Sequence, residues 1–223
     1  MHDQETTLDV DAGTRVSALI RPVDRARAAL VLAHGAGAGM LHAFMQSLAD
    51  GLATRHVATL RFQFPSMERG SSRVDPPALA WAAVRAAVAR ANEVFPGLPL
   101  FAGGKSFGGR MTSQAQADAP LAAVRGLVFF GFPLHPTGKP SLDRAAHLAR
   151  VSCPMLFLQG TRDTLAELPL VRDVVASLGS RATLAIYDDA DHSFHVRAKS
   201  GHTDAGTLAA MLDRATLWMT TPQ

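Results

Sequence analysis

The segment Leu98-Pro99-Leu100-Phe101-Ala102-Gly103-Gly104-Lys105-Ser106-Phe107-Gly108-Gly109 passes from an apolar run into glycines that surround a single serine. Leu98–Ala102 reads as a short buried strand, Arg110–Ala117 as a helix, and the serine falls on the turn between them. Gly104-Lys105-Ser106-Phe107-Gly108 fits the pattern G-x-S-x-G, which in a strand-turn-helix setting displays a nucleophilic serine on a strained elbow. A turn that sharp presses backbone against backbone, so the positions two before and two after the serine must be almost free of side chain. Gly104 and Gly108 meet that demand, and Gly103 and Gly109 relax it further. Two other readings compete. One is a plain glycine-rich turn; the other is a phosphate-binding loop, since Gly104-Lys105-Ser106 matches the end of G-x-x-x-x-G-K-[ST], but that pattern requires glycine where Pro99 stands.

Outward from this turn, short apolar runs alternate with helical periodicity. Thr6–Val10 and Arg15–Ile20, joined by Asp11-Ala12-Gly13, read as an antiparallel hairpin. Further strands are expected at Ala29–Ala33, Val57–Phe62, Val124–Phe130, Met155–Gln159 and Ala182–Tyr187. Helices are expected at Leu41–Thr54, with Leu41, Met45, Leu48 and Leu52 on one face, and at Ala78–Val94, Leu142–Arg150, Ala166–Leu178 and Asp204–Trp218. A hairpin followed by strand and helix in repeated alternation predicts a doubly wound α/β fold. The expected form is an eight-stranded, mostly parallel twisted sheet with helices on both faces, forming a single domain over residues 1–223. Between Phe130 and Met155 only a loop and one short helix fit, which leaves no room for a cap domain.

A serine nucleophile needs a base, and the base needs an orienting acid. On elbows of this kind the chain order is serine, acid, histidine. Leu158-Gln159-Gly160-Thr161-Arg162-Asp163 puts a carboxylate just past a strand, and Ala190-Asp191-His192-Ser193 puts an imidazole in the loop after the last strand. Both fall at the same edge of the sheet as Ser106, so Ser106, Asp163 and His192 are the expected catalytic residues. Asp188, Asp189 and Asp191 compete for the acid and His195 for the base, although the aspartates beside His192 are better suited to shaping its loop. Asp191, His192 and His195 also allow a metal-ligand reading, weakened by the lack of a ligand motif elsewhere. His34-Gly35-Ala36-Gly37, after the third strand, is placed to supply half of an oxyanion hole, with the amides of Ala36 and Phe107 as donors and His34 as a brace. Lys105 is expected to be solvated, with a preference for anionic substrates as the alternative. Phe62, Phe64, Phe107 and Phe132 are available to line an acyl pocket, with core packing as their competing role.

Composition bounds the remaining possibilities. Of 223 residues, 48% are apolar and 18% charged, the balance of a globular chain, and the net charge is only +3. The arginines, among them Arg15, Arg85, Arg125 and Arg181, are scattered and not interleaved with aromatics, which argues against nucleic acid as a partner. One cysteine, Cys153, allows no internal disulfide and no multi-thiolate metal site. The start, MHDQETTLDV, lacks a signal-peptide pattern, and no apolar run is long enough to cross a bilayer. The expectation is a soluble, cytoplasmic chain with no membrane partner, acting on a small molecule without metal or organic cofactor.

The strings LAHGAGAGM, FPSMERG, GGKSFGGRM, FPLHPTGKP, LQGTRD and DADHSFHV together resemble the α/β-hydrolase superfamily. More closely they are similar to its small lidless branch near the dienelactone hydrolases, which also holds a testis-expressed protein and a chromatin NSL-complex regulatory subunit. The likeness covers nearly the whole chain. It implies a serine nucleophile at Ser106 with acid and base at Asp163 and His192. The chain departs from the branch at Ser66, which follows Phe64-Pro65 where an aromatic is expected.

Overall fold

The computed structural model describes residues 2–71 and 73–221. These residues build one eight-stranded sheet in the order β1-β2-β4-β3-β5-β6-β7-β8. β1 (Gln4–Asp11) and β2 (Thr14–Arg21) form the expected hairpin, and β2 pairs antiparallel with β4 (Val57–Phe62). From there the sheet is parallel through β3 (Ala28–Ala33), β5 (Leu100–Lys105), β6 (Val124–Phe130), β7 (Met155–Gly160) and β8 (Ala182–Tyr187). Every residue of β3, β4 and β7 is buried, as parallel strands covered on both faces must be.

Alternation along the strands divides the core into two layers. Ala28, Leu30 and Leu32 pack with Met45, Leu48 and Leu52 of α1 (Ala43–Ala53) and with Met211, Leu212 and Trp218 of α6 (Asp204–Thr220). Ala29, Val31 and Ala33 face the opposite way, onto α3 (Pro77–Val94) and α4 (Phe107–Asp118), and α5 (Leu168–Leu178) continues that layer beside β8. A short helix, α2 (Pro65–Glu68), opens the long loop after β4; with four residues and a proline at its start it carries no periodicity for a sequence reading to detect.

Several boundaries differ from expectation, each for a local reason. α1 starts at Ala43 because His42 caps it, its ring Nδ1 accepting from Phe44 N at 3.2 Å, and this leaves Leu41 outside the helix and 70% exposed. α5 starts at Leu168, where Pro169 occupies the first turn, and not at Ala166. Asp143–Arg150 is a 3-10 helix, confined between Pro140 and Pro154. β5 runs on through Gly103 and Gly104 to Lys105, two residues whose weak strand preference hides the end of the strand. No helix among the described residues is long and apolar enough to cross a membrane.

The crossover from β6 to β7 holds only the loop at 131–142 and the 3-10 stretch, with no inserted cap. Leu134 N and His135 N both donate to Leu165 O, which ties this loop down beside the one following β7.

Candidate active site

Chain direction reverses at β3: the chain passes to β4 on one side and later returns to β5 on the other, so the loops after β3 and β5 part at the carboxyl edge of the sheet. A crevice at such a switch point is the usual ligand site of a doubly wound fold. Here it holds Ser106. The residue has φ 50° and ψ −113°, a conformation that side chains other than glycine adopt at a cost of about 1–3 kcal/mol. The surrounding glycines make it possible. A Cβ on Gly104 would stand 2.1 Å from Ala33 O, one on Gly108 2.4 Å from the same oxygen, and one on Gly103 1.9 Å from Val128 O. The elbow is therefore wedged between β3 and β6 with no space for a methyl group.

The expected acid and base meet this serine. Ser106 Oγ donates to His192 Nε2 at 2.8 Å, and His192 Nδ1 donates to Asp163 Oδ2 at 2.7 Å. This pairing fixes the neutral tautomer with the proton on Nδ1, leaving Nε2 free to take a proton from Ser106. Asp163 is buried, and its other oxygen accepts from Leu165 N at 2.8 Å. Gln159 completes the support: its Nε2 donates to Asp163 Oδ2 at 2.5 Å, while its Oε1 accepts from Phe132 N at 3.1 Å. Sequence reasoning assigned Gln159 no role. The available signal was an amide closing an apolar strand, since a polar group at such a depth must find internal partners.

The competing residues are engaged elsewhere. Asp191 Oδ1 accepts from Ser193 N and His195 N, closing its own loop, and Asp189 pairs with Arg197. His195 turns out to Asp204, 2.9 Å away, while His192 turns in to Ser106, so Asp191, His192 and His195 do not converge. Among the described residues no group of three potential ligands is arranged around a metal position. A second serine-imidazole contact, Ser113 Oγ to His147 Nε2 at 2.7 Å, lies buried between α4 and the 3-10 stretch. Ser113 also donates to Arg110 O, and no carboxylate meets His147 among the described residues, so that pair lacks both access and an orienting acid. Burial and the nearby Arg110 and Arg150 push the His147 imidazole down to about 4.

The loop after β3 is braced from below. Buried His34 has Nδ1 2.7 Å from Gly35 O, and its Nε2 accepts from Phe64 N at 3.0 Å, as expected of a brace. Burial lowers the pKa of His34, which suits an imidazole used as an acceptor. Neither Ala36 N nor Phe107 N is spent on a backbone partner among the described residues, and Phe107 opens α4, where an amide has no partner within the helix. Ser66 is buried at the start of α2 and donates its backbone N–H to the buried carboxylate of Asp75, which ties the start of α2 to that carboxylate.

A cavity of about 450 Å³ opens on Ser106 and His192. Its apolar walls are Ala36, Ala38, Phe44, Met45 and Leu165, and His42 and Lys105 line it as well. Phe62, Phe64, Phe107 and Phe132 are all core residues and do not line it, although Phe64 and Phe107 border a small neighbouring cleft beside Ala36. Lys105 is neither freely solvated nor enclosed: it is half-buried in the lining of the same cavity, and its Nζ donates to His192 O, in the loop after β8, at 2.6 Å.

A family model described as an alpha/beta hydrolase domain matches residues 26–220. Among solved structures the chain is similar to an a/b serine hydrolase without lid from Xanthomonas campestris, at 19% identity and TM-score 0.75 over 100% of this chain and 98% of that one. It is similar to a dienelactone hydrolase from Anabaena variabilis at 20% identity and TM-score 0.75, covering 97% of this chain and 96% of that one. An alpha-beta serine hydrolase homologue from Coxiella burnetii matches at 17% identity and TM-score 0.73, over 99% and 97% of the two chains.

Proposed function

The chain belongs to the alpha/beta hydrolase family, and on that premise we propose that it is a serine hydrolase of carboxylesterase type, transferring the acyl group of a small ester to water. The observation that carries this reading is the unbroken relay Asp163–His192–Ser106, at 2.7 and 2.8 Å, opening on the cavity. His192 Nε2 takes the proton of Ser106 as Oγ attacks the substrate carbonyl carbon. The amides of Ala36 and Phe107 receive the developing oxyanion. The tetrahedral intermediate collapses as His192 returns the proton to the leaving alkoxide, so the alcohol departs and the acyl group stays on Oγ. Water then attacks the acyl-enzyme with His192 again as base, and the carboxylic acid leaves. Thioesters and lactones fit the same chemistry. Nothing in the sequence of steps calls for a metal or an organic cofactor, and residues 1–223 would act as one catalytic unit.

A binding scaffold on the same fold is the second reading. The strained Ser106 backbone disfavours it, since a surface that only binds gains nothing from holding a serine at φ 50°. A fluorophosphonate probe separates the two. Labelling should map to Ser106, and Ser106→Ala should abolish it together with at least about 10³-fold of the hydrolysis of 4-nitrophenyl acetate, in a protein with an unchanged fold. Equal labelling of both proteins would overturn the assignment.

A further inference from the structure

Lys105 is the last residue of β5 and directly precedes the nucleophile, yet its side chain ends under the loop that carries the base. Nζ donates to His192 O at 2.6 Å and lies 5.5 Å from the ring centroid of Phe194, a residue held at φ 63°. The fit is close on the far side too: a Cβ on Gly131 would stand 3.0 Å from Nζ. Among the described residues no carboxylate lies within ion-pair distance of this ammonium; Asp163 and Asp191 act on it only at longer range. The side chain is half-buried in the lining of the cavity that opens on Ser106, and keeping a cation partly out of water without a counter-ion carries a cost that an apolar side chain would not. The loop 190–196 is tied to itself through Asp191, which accepts from Ser193 N and His195 N, and through the bridge between Ala190 and Val196. None of those ties reaches the strand that carries Ser106. The Lys105 bond does.

We propose that Lys105 is a positioning residue for the reaction proposed above: by gripping the His192 carbonyl from the residue next to Ser106, it keeps the base in reach of the nucleophile. The inference rests on Ser106 and His192 having those roles. One peptide link and one hydrogen bond then join the backbones of nucleophile and base, so the loop cannot drift without pulling on the elbow. Such a drift is costly because a misplacement of about 1 Å at reacting groups reduces rate by about 10²-fold.

The charge on the grip has a consequence of its own. Burial pushes the Lys105 ammonium down to about 8, opposed by Asp163 and Asp191. The groups that face it are Asp163 from the loop after β7, and Asp191, His192 and the Phe194 ring from the loop after β8; His42, ahead of α1, lines the same cavity. An ammonium donor makes a stronger bond to the carbonyl than the free amine does. Activity should therefore fall on the alkaline side through a group that is neither the base nor the nucleophile.

The test measures kcat and KM for 4-nitrophenyl acetate, from neutral to alkaline pH, in the wild type, Lys105→Met and Lys105→Arg. Lys105→Met should lose about 10- to 10²-fold in kcat with KM nearly unchanged, and should lack the alkaline fall seen in the wild type near pH 8. Lys105→Arg, which keeps its charge throughout, should recover part of kcat and stay flat into alkali. If Lys105→Met fails to fold, Lys105→Gln, a shorter uncharged donor, takes its place with the same expected loss and flat profile. Unchanged kcat with the alkaline fall intact in the uncharged variant overturns the role of Lys105, and so does a loss confined to KM. A wild type that neither turns over the ester nor labels at Ser106 overturns the proposed function instead.

Discussion

Ser106 sits in a backbone conformation that almost any relaxation would relieve, and packed backbone on both sides prevents it from relaxing. Strain of this kind persists only where the surroundings over-determine it. The Asp163 carboxylate is held just as firmly. It accepts from Gln159 Nε2, Leu165 N and His192 Nδ1, which leaves it one orientation toward the imidazole. Gln159→Leu removes one of these donors while keeping most of the side-chain volume. The expected result is a folded protein with kcat reduced by about 10-fold or more and KM little changed, because the carboxylate gains freedom that substrate binding does not sense. Steady-state kinetics on 4-nitrophenyl acetate checks this, and a wild-type kcat would show that the amide serves only the fold.

At the scale of elements, the contact between α4 and the 3-10 helix Asp143–Arg150 contains a titratable group the chemistry does not use. His147 is buried against Ser113 with its pKa pushed from the ordinary 6.5 to about 4, first by desolvation and then by Arg110 and Arg150. In the unfolded chain it binds a proton near pH 6.5, and in the folded chain not until about pH 4. Between those values the unfolded state holds more protons, so stability rises with pH. The contribution is complete above pH 6.5 and drains away as pH falls toward 4, reaching up to about 3 kcal/mol. Urea unfolding of wild type and His147→Gln at neutral and mildly acid pH should show the variant losing much less stability on acidification. Parallel losses in both proteins would place the acid sensitivity in other groups.

For the whole molecule, the cavity sits at the switch point of the sheet, and no segment between β6 and β7 is long enough to close over it. A site without a lid has nothing to open at a lipid-water interface and little wall to enclose a long acyl chain. About 450 Å³ bounded by Phe44, Met45, Leu165, Ala36 and Ala38 suits a short acyl group. Acetate and butyrate esters should follow hyperbolic kinetics, with kcat/KM falling as the acyl chain lengthens and no increase as substrate passes its solubility limit. A jump in rate on emulsified long-chain esters would contradict the lidless reading.

Gly104-Lys105-Ser106-Phe107-Gly108, the order serine, acid, histidine, and the alternation of apolar runs with helical periodicity were enough to predict the sheet, its helices and the residues that meet at its edge. These features are local: a glycine where backbones touch, a period of two or of 3.6, a polar residue just past a strand. What the chain could not show is which side chains share a space once distant segments pack. The cavity wall includes Phe44 and Met45 of α1 and Leu165 of the loop after β7, while Phe62, Phe64 and Phe132 belong to the core. Lys105, a solvated lysine by every local rule, lies beneath a loop 87 positions further along the chain. Arg61, in a strand read only as buried, reaches Asp3 at 2.5 Å and Gln46 at 2.8 Å. Hydrophobic pattern tells a side chain to leave water, but a hydrogen bond or a pocket wall needs a particular partner at a particular distance, and only the assembled sheet and its loops supply that.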